Sequence, residues 1–274
     1  MIKVSALMDN YTSHTDCFAE HGLSFFIETP DKKILYDTGQ TNNFIHNAEK
    51  LNVPINKTDF LVISHGHYDH TGGLMALLEL VPSLKIIAHP DIFIERYVRS
   101  GNDFKTISNP FSQQDLAKFN AEITLTNKPY NLAKNIFTLG EVEDMFNNIA
   151  NKHMFKDENG KMTVDYIKDD LSIVIKQEDQ INIICGCSHS GILNIVDKAI
   201  NMTGIETVNY IIGGLHFFKM SNNYIKDTIY ELNNYDIRNI AVSHCTGVNL
   251  LFYLQDNLAS EITYFGVGDS IVIR

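Results

Sequence analysis

Ser64-His65-Gly66-His67-Tyr68-Asp69-His70-Thr71-Gly72-Gly73-Leu74 gathers three imidazoles and one carboxylate into the six residues 65–70. The run follows the apolar stretch Phe60-Leu61-Val62-Ile63 and precedes Leu74, Leu77 and Leu78, which are spaced as on one helix face. Residues two apart on an extended chain project to the same side, so His65 and His67 can grip one ion together. Asp69 and His70 fall where the chain turns into the helix and aim elsewhere. One turn can therefore serve two neighbouring ions. Imidazole nitrogen and carboxylate oxygen suit zinc, with iron or manganese as alternatives. Gly66, Gly72 and Gly73 belong where backbone turns tightly or something approaches closely, which a surface histidine cluster would not require.

The chain has 274 residues, 44% hydrophobic and 20% charged, a composition that excludes disorder and supports a sizeable core. No apolar stretch reaches the roughly 18 residues of a membrane span. The opening residues 1–8 are shorter than a signal core and are followed at once by Asp9 and Asn10, so a cytoplasmic protein without a membrane partner is expected. The formal net charge of −11, with no lysine or arginine cluster, argues against a nucleic-acid footprint. A small-molecule substrate is the expected partner, and the oligomeric state is not legible. Cys17, Cys185, Cys187 and Cys245 form no paired secretory framework and fit a reducing compartment.

Residues 4–8, 24–28 and 33–36 read as strands, followed by a helix over 44–51, a strand over 60–63, a helix to about residue 80 and a strand over 85–88. The second half repeats the style. Strands are expected at 171–175, 181–185, 210–212, 240–242 and 262–265, and helices at 192–202, 224–232 and 248–254. This alternation predicts layered α/β architecture. Residues 91–168 are weakly periodic and rich in Asn, Lys and Asp. They are expected to form a connection with some short structure, a candidate pocket wall or lid. A single domain over 1–274 is the simplest organisation.

The pattern His65-x-His67-x-Asp69-His70 after a strand, with Asp37-Thr38-Gly39 upstream, resembles the metallo-β-lactamase superfamily. A narrower resemblance rests on five blocks: His21-Gly22-Leu23-Ser24, residues 64–74, Gly186-Cys187-Ser188-His189-Ser190-Gly191, Gly213-Gly214-Leu215-His216 and Ser243-His244-Cys245-Thr246-Gly247. They resemble the branch of 7,8-dihydropterin-6-methyl-4-(β-D-ribofuranosyl)aminobenzene-5′-phosphate synthase-like hydrolases. The resemblance implies a four-layer αβ/βα sandwich, with two sheets face to face, helices outside and a dinuclear metal site along one edge. It also implies that His65 and His67 hold the first metal and Asp69 and His70 the second, with further ligands from the second half. His189 and His244 each follow an apolar strand, with a glycine in the turn, and are the candidates.

The chain departs from the superfamily pattern where a bridging aspartate would stand in a Gly-Asp turn, because that turn here reads Gly186-Cys187-Ser188-His189. Cys187 is open to two readings, a thiolate ligand of zinc or a small buried hydrophobe, and the number of bound ions depends on which holds. Asp37 also has two readings. It either accepts the outer N–H of a ligating imidazole or caps its own turn. His216, after Gly213-Gly214, is expected to face the same rim as a proton-handling group, and His21 is a weaker candidate for the pocket. His14, His46, His89 and His153 read as surface or structural histidines.

The function expected is metal-dependent hydrolysis of a small phosphorylated or ester-type metabolite, with two zinc ions activating water. Asp69 would orient that water and His216 would protonate the leaving group. Two alternatives stand beside it. One is the synthase-like transfer of a ribosyl phosphate unit with loss of pyrophosphate, for which the chain offers no glycine-rich cradle or Walker motif. The other is a non-catalytic metal- or ligand-binding sensor, against which the complete ligand run argues.

Overall fold

The strand Phe60–Val62 is buried throughout and paired along both edges, in parallel with Lys33–Tyr36 and Lys85–Ala88. A central parallel strand has no wet face, which is why Phe60-Leu61-Val62-Ile63 shows no alternation of polar and apolar residues. The computed structural model describes residues 1–146, 148 and 151–274, and the chain divides into two compact units.

The first unit comprises Met1–Asn127, Asn151–Asp169 and Gly266–Arg274. Its main sheet runs in the order Ser270–Ile273, Ile2–Met8, Ser24–Glu28, Lys33–Tyr36, Phe60–Val62, Lys85–Ala88, Glu122–Leu125. The pairings are antiparallel as far as Lys33–Tyr36 and parallel beyond it. Helices Asn43–Lys50 and Leu74–Leu80 lay Phe44, Ala48, Leu74, Leu77 and Leu78 onto Phe26, Leu35, Leu61 and Ile63. Eight residues without a side-chain N-cap would not persist as a helix alone. The buried stripe supplies the stability, at about 1.5–3 kcal/mol for each large side chain fully withdrawn from water.

The second unit comprises Lys128–Ala150 and Asp170–Phe265. Its sheet runs Glu261–Tyr264, Ile237–Val242, Val208–Gly213, Gln180–Ile184, Ile173–Gln177, Ile136–Thr138, Asn131–Ala133. The first three pairings are parallel and the rest antiparallel. Helix Ile192–Thr203 places Ile195, Val196 and Ala199, and helix Asn222–Leu232 places Ile225 and Ile229, in one core with Ile183, Ile211 and Ile240. Gly204, left-handed at φ 68°, ends the first of these helices, and the Ser221 hydroxyl caps the second by accepting the Tyr224 N–H.

Residues 91–168 are more regular than their sequence suggests. Lys161–Val164, Met154–Glu158, Arg96–Ser100 and Asp103–Thr106 form a four-stranded sheet of their own, and three further strands from this stretch extend the two main sheets. These strands are short, and Asp103–Thr106 is exposed at every position, so no burial period is imprinted on the sequence. The edge strand Ser270–Ile273 alternates exposed Ser270 and Val272 with the more buried Ile271 and Ile273, but at four residues it is too short for that alternation to stand out in the sequence. The helix expected over 248–254 is a 3₁₀ turn, Val248–Leu250, leading into the α-helix Leu251–Asn257. Among the described residues no helix is long and apolar enough to cross a membrane.

Candidate metal centre

Each unit carries its candidate ligands on loops that follow the carboxyl ends of parallel strands, where open α/β sheets place ligand sites. In the first unit Lys33–Tyr36 leads to Asp37, and Phe60–Val62 leads to the run from Ser64. Asp37 is fully buried and left-handed, at φ 60°. Its Oδ1 accepts the Ser64 N–H at 2.7 Å, while Oδ2 accepts the Ser64 hydroxyl at 2.6 Å and the His70 Nδ1–H at 2.6 Å. The carboxylate thus orients an imidazole, and its side chain holds no amide of its own turn among the described residues.

The tautomers follow from this network. Because Asp37 takes the proton on His70 Nδ1, His70 presents a lone pair at Nε2. Ser64 Oγ donates to Asp37 and therefore accepts from His65 Nδ1 at 2.8 Å, which leaves a lone pair on His65 Nε2 as well. That nitrogen faces His67 Nδ1 at 2.9 Å, and the His65 and His70 ring centroids are 4.2 Å apart. Asp69 Oδ2 lies 3.8 Å from His70 Nε2 and 3.1 Å from His21 Nε2. His65, His67, Asp69 and His70 are all buried. With its Nε2 a lone pair, His65 accepts from His67 Nδ1 in this arrangement, a bond that a cation between the rings would replace. Buried neutral imidazoles, two of them tied at their outer nitrogens, with a carboxylate beside them, are the donor set that zinc, iron or manganese accepts.

In the second unit Gln180–Ile184 runs into Cys185-Gly186-Cys187-Ser188-His189. Several bonds hold this turn, among them the following three. Ser188 Oγ donates to the Gly214 carbonyl at 2.6 Å, the Ser190 N–H donates to Asp170 Oδ2 at 2.8 Å, and Asn148 Nδ2 donates to the His189 carbonyl at 2.6 Å. One donor atom each from Cys187, His189 and His216 lies within 4.8 Å of the other two, and the His189 and His216 rings are 4.3 Å apart. Cys187 is therefore buried, as one reading required, with its sulfur among ligand atoms, as the other required. His216 Nδ1 is buried without a hydrogen-bond partner among the described residues.

His244 opens the 3₁₀ turn His244–Thr246 after strand Ile237–Val242. Its neighbour Cys245 donates to the Cys187 carbonyl at 3.5 Å, and Thr246 Oγ1 accepts the Leu215 N–H at 2.9 Å, so this turn is tied to both loops beside it. Burial raises the Cys245 thiol, but hydrogen bonds with Cys187 and His216 and the nearby imidazoles outweigh it and hold the thiol well below its ordinary value. Cys185, by contrast, is pushed up to about 12 by burial. Ser188, His216 and His244 join Asp37 in the left-handed region, at φ 58°, 53° and 47°. Backbone strain of this kind clusters where surrounding structure over-determines a functional geometry.

The family model described as the metallo-beta-lactamase superfamily matches residues 18–152, a stretch that contains the run 64–74. A protein of Methanocaldococcus jannaschii named 7,8-dihydropterin-6-methyl-4-(beta-D-ribofuranosyl)-aminobenzene-5'-phosphate synthase is 34% identical over 263 residues, covering 90% of this chain and 88% of its own. The chain belongs to the metallo-beta-lactamase superfamily. An uncharacterized protein from the same organism is 33% identical over 276 residues and covers both chains completely. The crystal structure of Tm1679, described as a metal-dependent hydrolase of the beta-lactamase superfamily, matches with a TM-score of 0.85 at 23% identity, over 100% of this chain and 99% of that one. At that identity the likeness speaks to the fold. The expected metallo-β-lactamase fold is thus the fold observed, with clusters of histidine, cysteine and aspartate able to hold metal.

Of the remaining histidines in this superfamily member, His89 is buried and caps the turn Pro90–Phe93 by accepting the Asp91 N–H, and His46 Nε2 meets the Asp16 carbonyl. Sequence reasoning missed Ser64, whose hydroxyl links Asp37 to His65, and Asp169, whose Oδ2 accepts the Gly66 N–H at 2.8 Å. Two adjacent carboxylates, Asp169 and Asp170, directly before an apolar strand were the available signal. Nothing in the sequence marked Arg96.

Proposed function

We propose that the protein is a metal-dependent hydrolase of a small phosphorylated or ester-type metabolite. The observation that carries this reading is the Asp37–Ser64 network, which ties the outer nitrogens of His65 and His70 and leaves lone pairs on their inner ones. Superfamily membership supports it. In this reading His65 and His67 hold one ion and Asp69 and His70 the other, and the second unit offers His189 and His244 as further ligands. Bound zinc, two ions in the full centre, with iron or manganese as substitutes, would supply Lewis acidity and lower the pKa of water.

The chain's own groups divide the remaining work. Asp69 orients the attacking water, steadied by His21 at 3.1 Å. His216, with Nδ1 buried and without a hydrogen-bond partner among the described residues, donates the proton to the leaving oxygen. The net charge of −11 disfavours polyanions, so the substrate proposed is a small molecule, and the location proposed is the cytoplasm. The test is chelation followed by zinc, manganese or iron add-back against phosphodiester, thioester and lactone substrates, with metal-dependent turnover expected. No turnover on any class with any metal would overturn the hydrolase reading.

A synthase reading is favoured by one observation, the 34% identity to the M. jannaschii synthase over 90% of the chain. With the pterin methyl rather than a ribosyl phosphate as the unit transferred, it predicts a condensation product by mass spectrometry, and released pyrophosphate, when a dihydropterin bearing a 6-methyl diphosphate and a ribofuranosylaminobenzene phosphate are supplied together. The hydrolase reading predicts water-derived products only.

A further inference from the structure

Gly66 stands between His65 and His67, in a loop that has left the sheet and lost its ladder partners. Its N–H must find an acceptor or be buried unsatisfied. The acceptor is Asp169, more than a hundred residues away in sequence, through Oδ2 at 2.8 Å. Asp169 is fully buried, and its Oδ1 accepts from Arg96 Nη2 at 2.8 Å. Arg96 is itself fully buried and gives its Nε–H to Asp165 Oδ2 at 2.7 Å. A Cβ on Gly66 would collide with the Ile92 carbonyl and come within 2.5 Å of Arg96 Nη1, so the loop rests directly on the guanidinium.

Asp37 accepts the Ser64 N–H at 2.7 Å, so the N–H groups of the residues before and after His65 are each held by a buried carboxylate. The Asp169 clamp fixes the peptide plane that joins His65 to Gly66, and the Asp37 clamp fixes the one that enters Ser64, so the backbone is held on both sides of the His65 ring. Both Asp169 oxygens accept from donors, as an ionised carboxylate does. Burying that charge is costly, and a structural pair could be replaced by apolar packing. A charge aimed at the amide between two metal-ligand histidines has a more specific use.

We infer that Asp169, oriented by Arg96, is a positioning residue of the metal centre that sets the geometry of His65 and His67 through the Gly66 amide. This rests on the metal-centre reading given above. Outer partners of metal ligands typically govern affinity by about 10–100-fold. The test is zinc competition against a chromophoric chelator, with the cobalt(II) absorption spectrum as a second readout, on the wild type, Asp169→Asn, Asp169→Glu and Asp165→Asn. Asp165→Asn removes the other carboxylate on Arg96 without touching the loop, and so controls for a purely structural role.

The expected result is a zinc affinity about 10–100-fold lower for Asp169→Asn, with a shifted cobalt spectrum and an affinity within about twofold of wild type for Asp165→Asn. Asp169→Glu keeps the charge but displaces the oxygens by one methylene, so it should fold and still bind zinc weakly. It carries the test if Asp169→Asn does not fold. Wild-type affinity and spectrum in both Asp169 variants would overturn the inference, as would an equal loss in Asp165→Asn. A wild type that binds no zinc or cobalt at all would sink the metal centre itself, and this inference with it.

Discussion

Replacing Asp37 by asparagine keeps the shape of the side chain and changes only what the atom at the Oδ2 position can do. In Asp37→Asn the amide oxygen still accepts the Ser64 N–H, and asparagine tolerates the φ of 60° better than most residues. The new NH₂ group faces the Ser64 hydroxyl and His70 Nδ1, both donors to Asp37 at 2.6 Å. The hydroxyl can rotate to accept. His70 must move its proton from Nδ1 to Nε2, which removes the lone pair it offers to a metal. The stability cost is about one charge-assisted hydrogen bond, roughly 1.5–3 kcal/mol. At about 2–4 °C per kcal/mol for a domain of this size, Tm should fall by about 3–12 °C. Zinc affinity should fall by at least about 10–100-fold. Asp37→Ala differs in kind, leaving two Ser64 donors and one on His70 without an acceptor at about 1–3 kcal/mol each. It also places a Cβ without a polar handle in the left-handed region, at about 1 kcal/mol more. That sum rivals the total stability of a typical domain, about 5–15 kcal/mol. Circular-dichroism melting and chelator competition measure both variants, and ¹⁵N NMR reports the His70 tautomer. Wild-type zinc affinity in Asp37→Asn, or an alanine variant as stable as the asparagine one, would refute the reasoning.

Three further outcomes are expected. Gly66→Ala meets the Ile92 carbonyl and Arg96 rather than a yielding side chain, so it should destabilise the protein by more than about 2 kcal/mol in urea unfolding; an unchanged midpoint would count against the close approach. His216→Ala should retain bound zinc by elemental analysis while turnover falls by about 100-fold or more, as for loss of a general acid; loss of the metal would make His216 a ligand. Zinc at a thousand times its dissociation constant should stabilise the fold by about 4 kcal/mol, reversibly by chelation, and a Tm indifferent to both zinc and chelator would argue against a native metal site.

The layered α/β pattern and the strand leading to His65 were legible because both are written in local periods, two residues for strands and between three and four for helices. The His-x-His-x-Asp-His spacing was legible for the same reason. The stretch 91–168 was not, because strands such as Asp103–Thr106, exposed at every position, carry no period. Cys187 stayed ambiguous in sequence, since burial and ligation ask for the same residue.

What the sequence determined by itself is the chemistry on offer, imidazole, thiol and carboxylate donors at strand ends, because donor identity and local spacing need no folded chain. Tertiary structure alone decided which nitrogen His65 and His70 present and how the backbone between His65 and His67 is held. The first depends on Asp37 meeting Ser64 and His70, 27 and 33 residues on, and the second on Asp169 reaching Gly66 across 103 residues. A hydrogen bond specifies a tautomer only when its partner is held in place, and packing around a buried core brings such distant partners together.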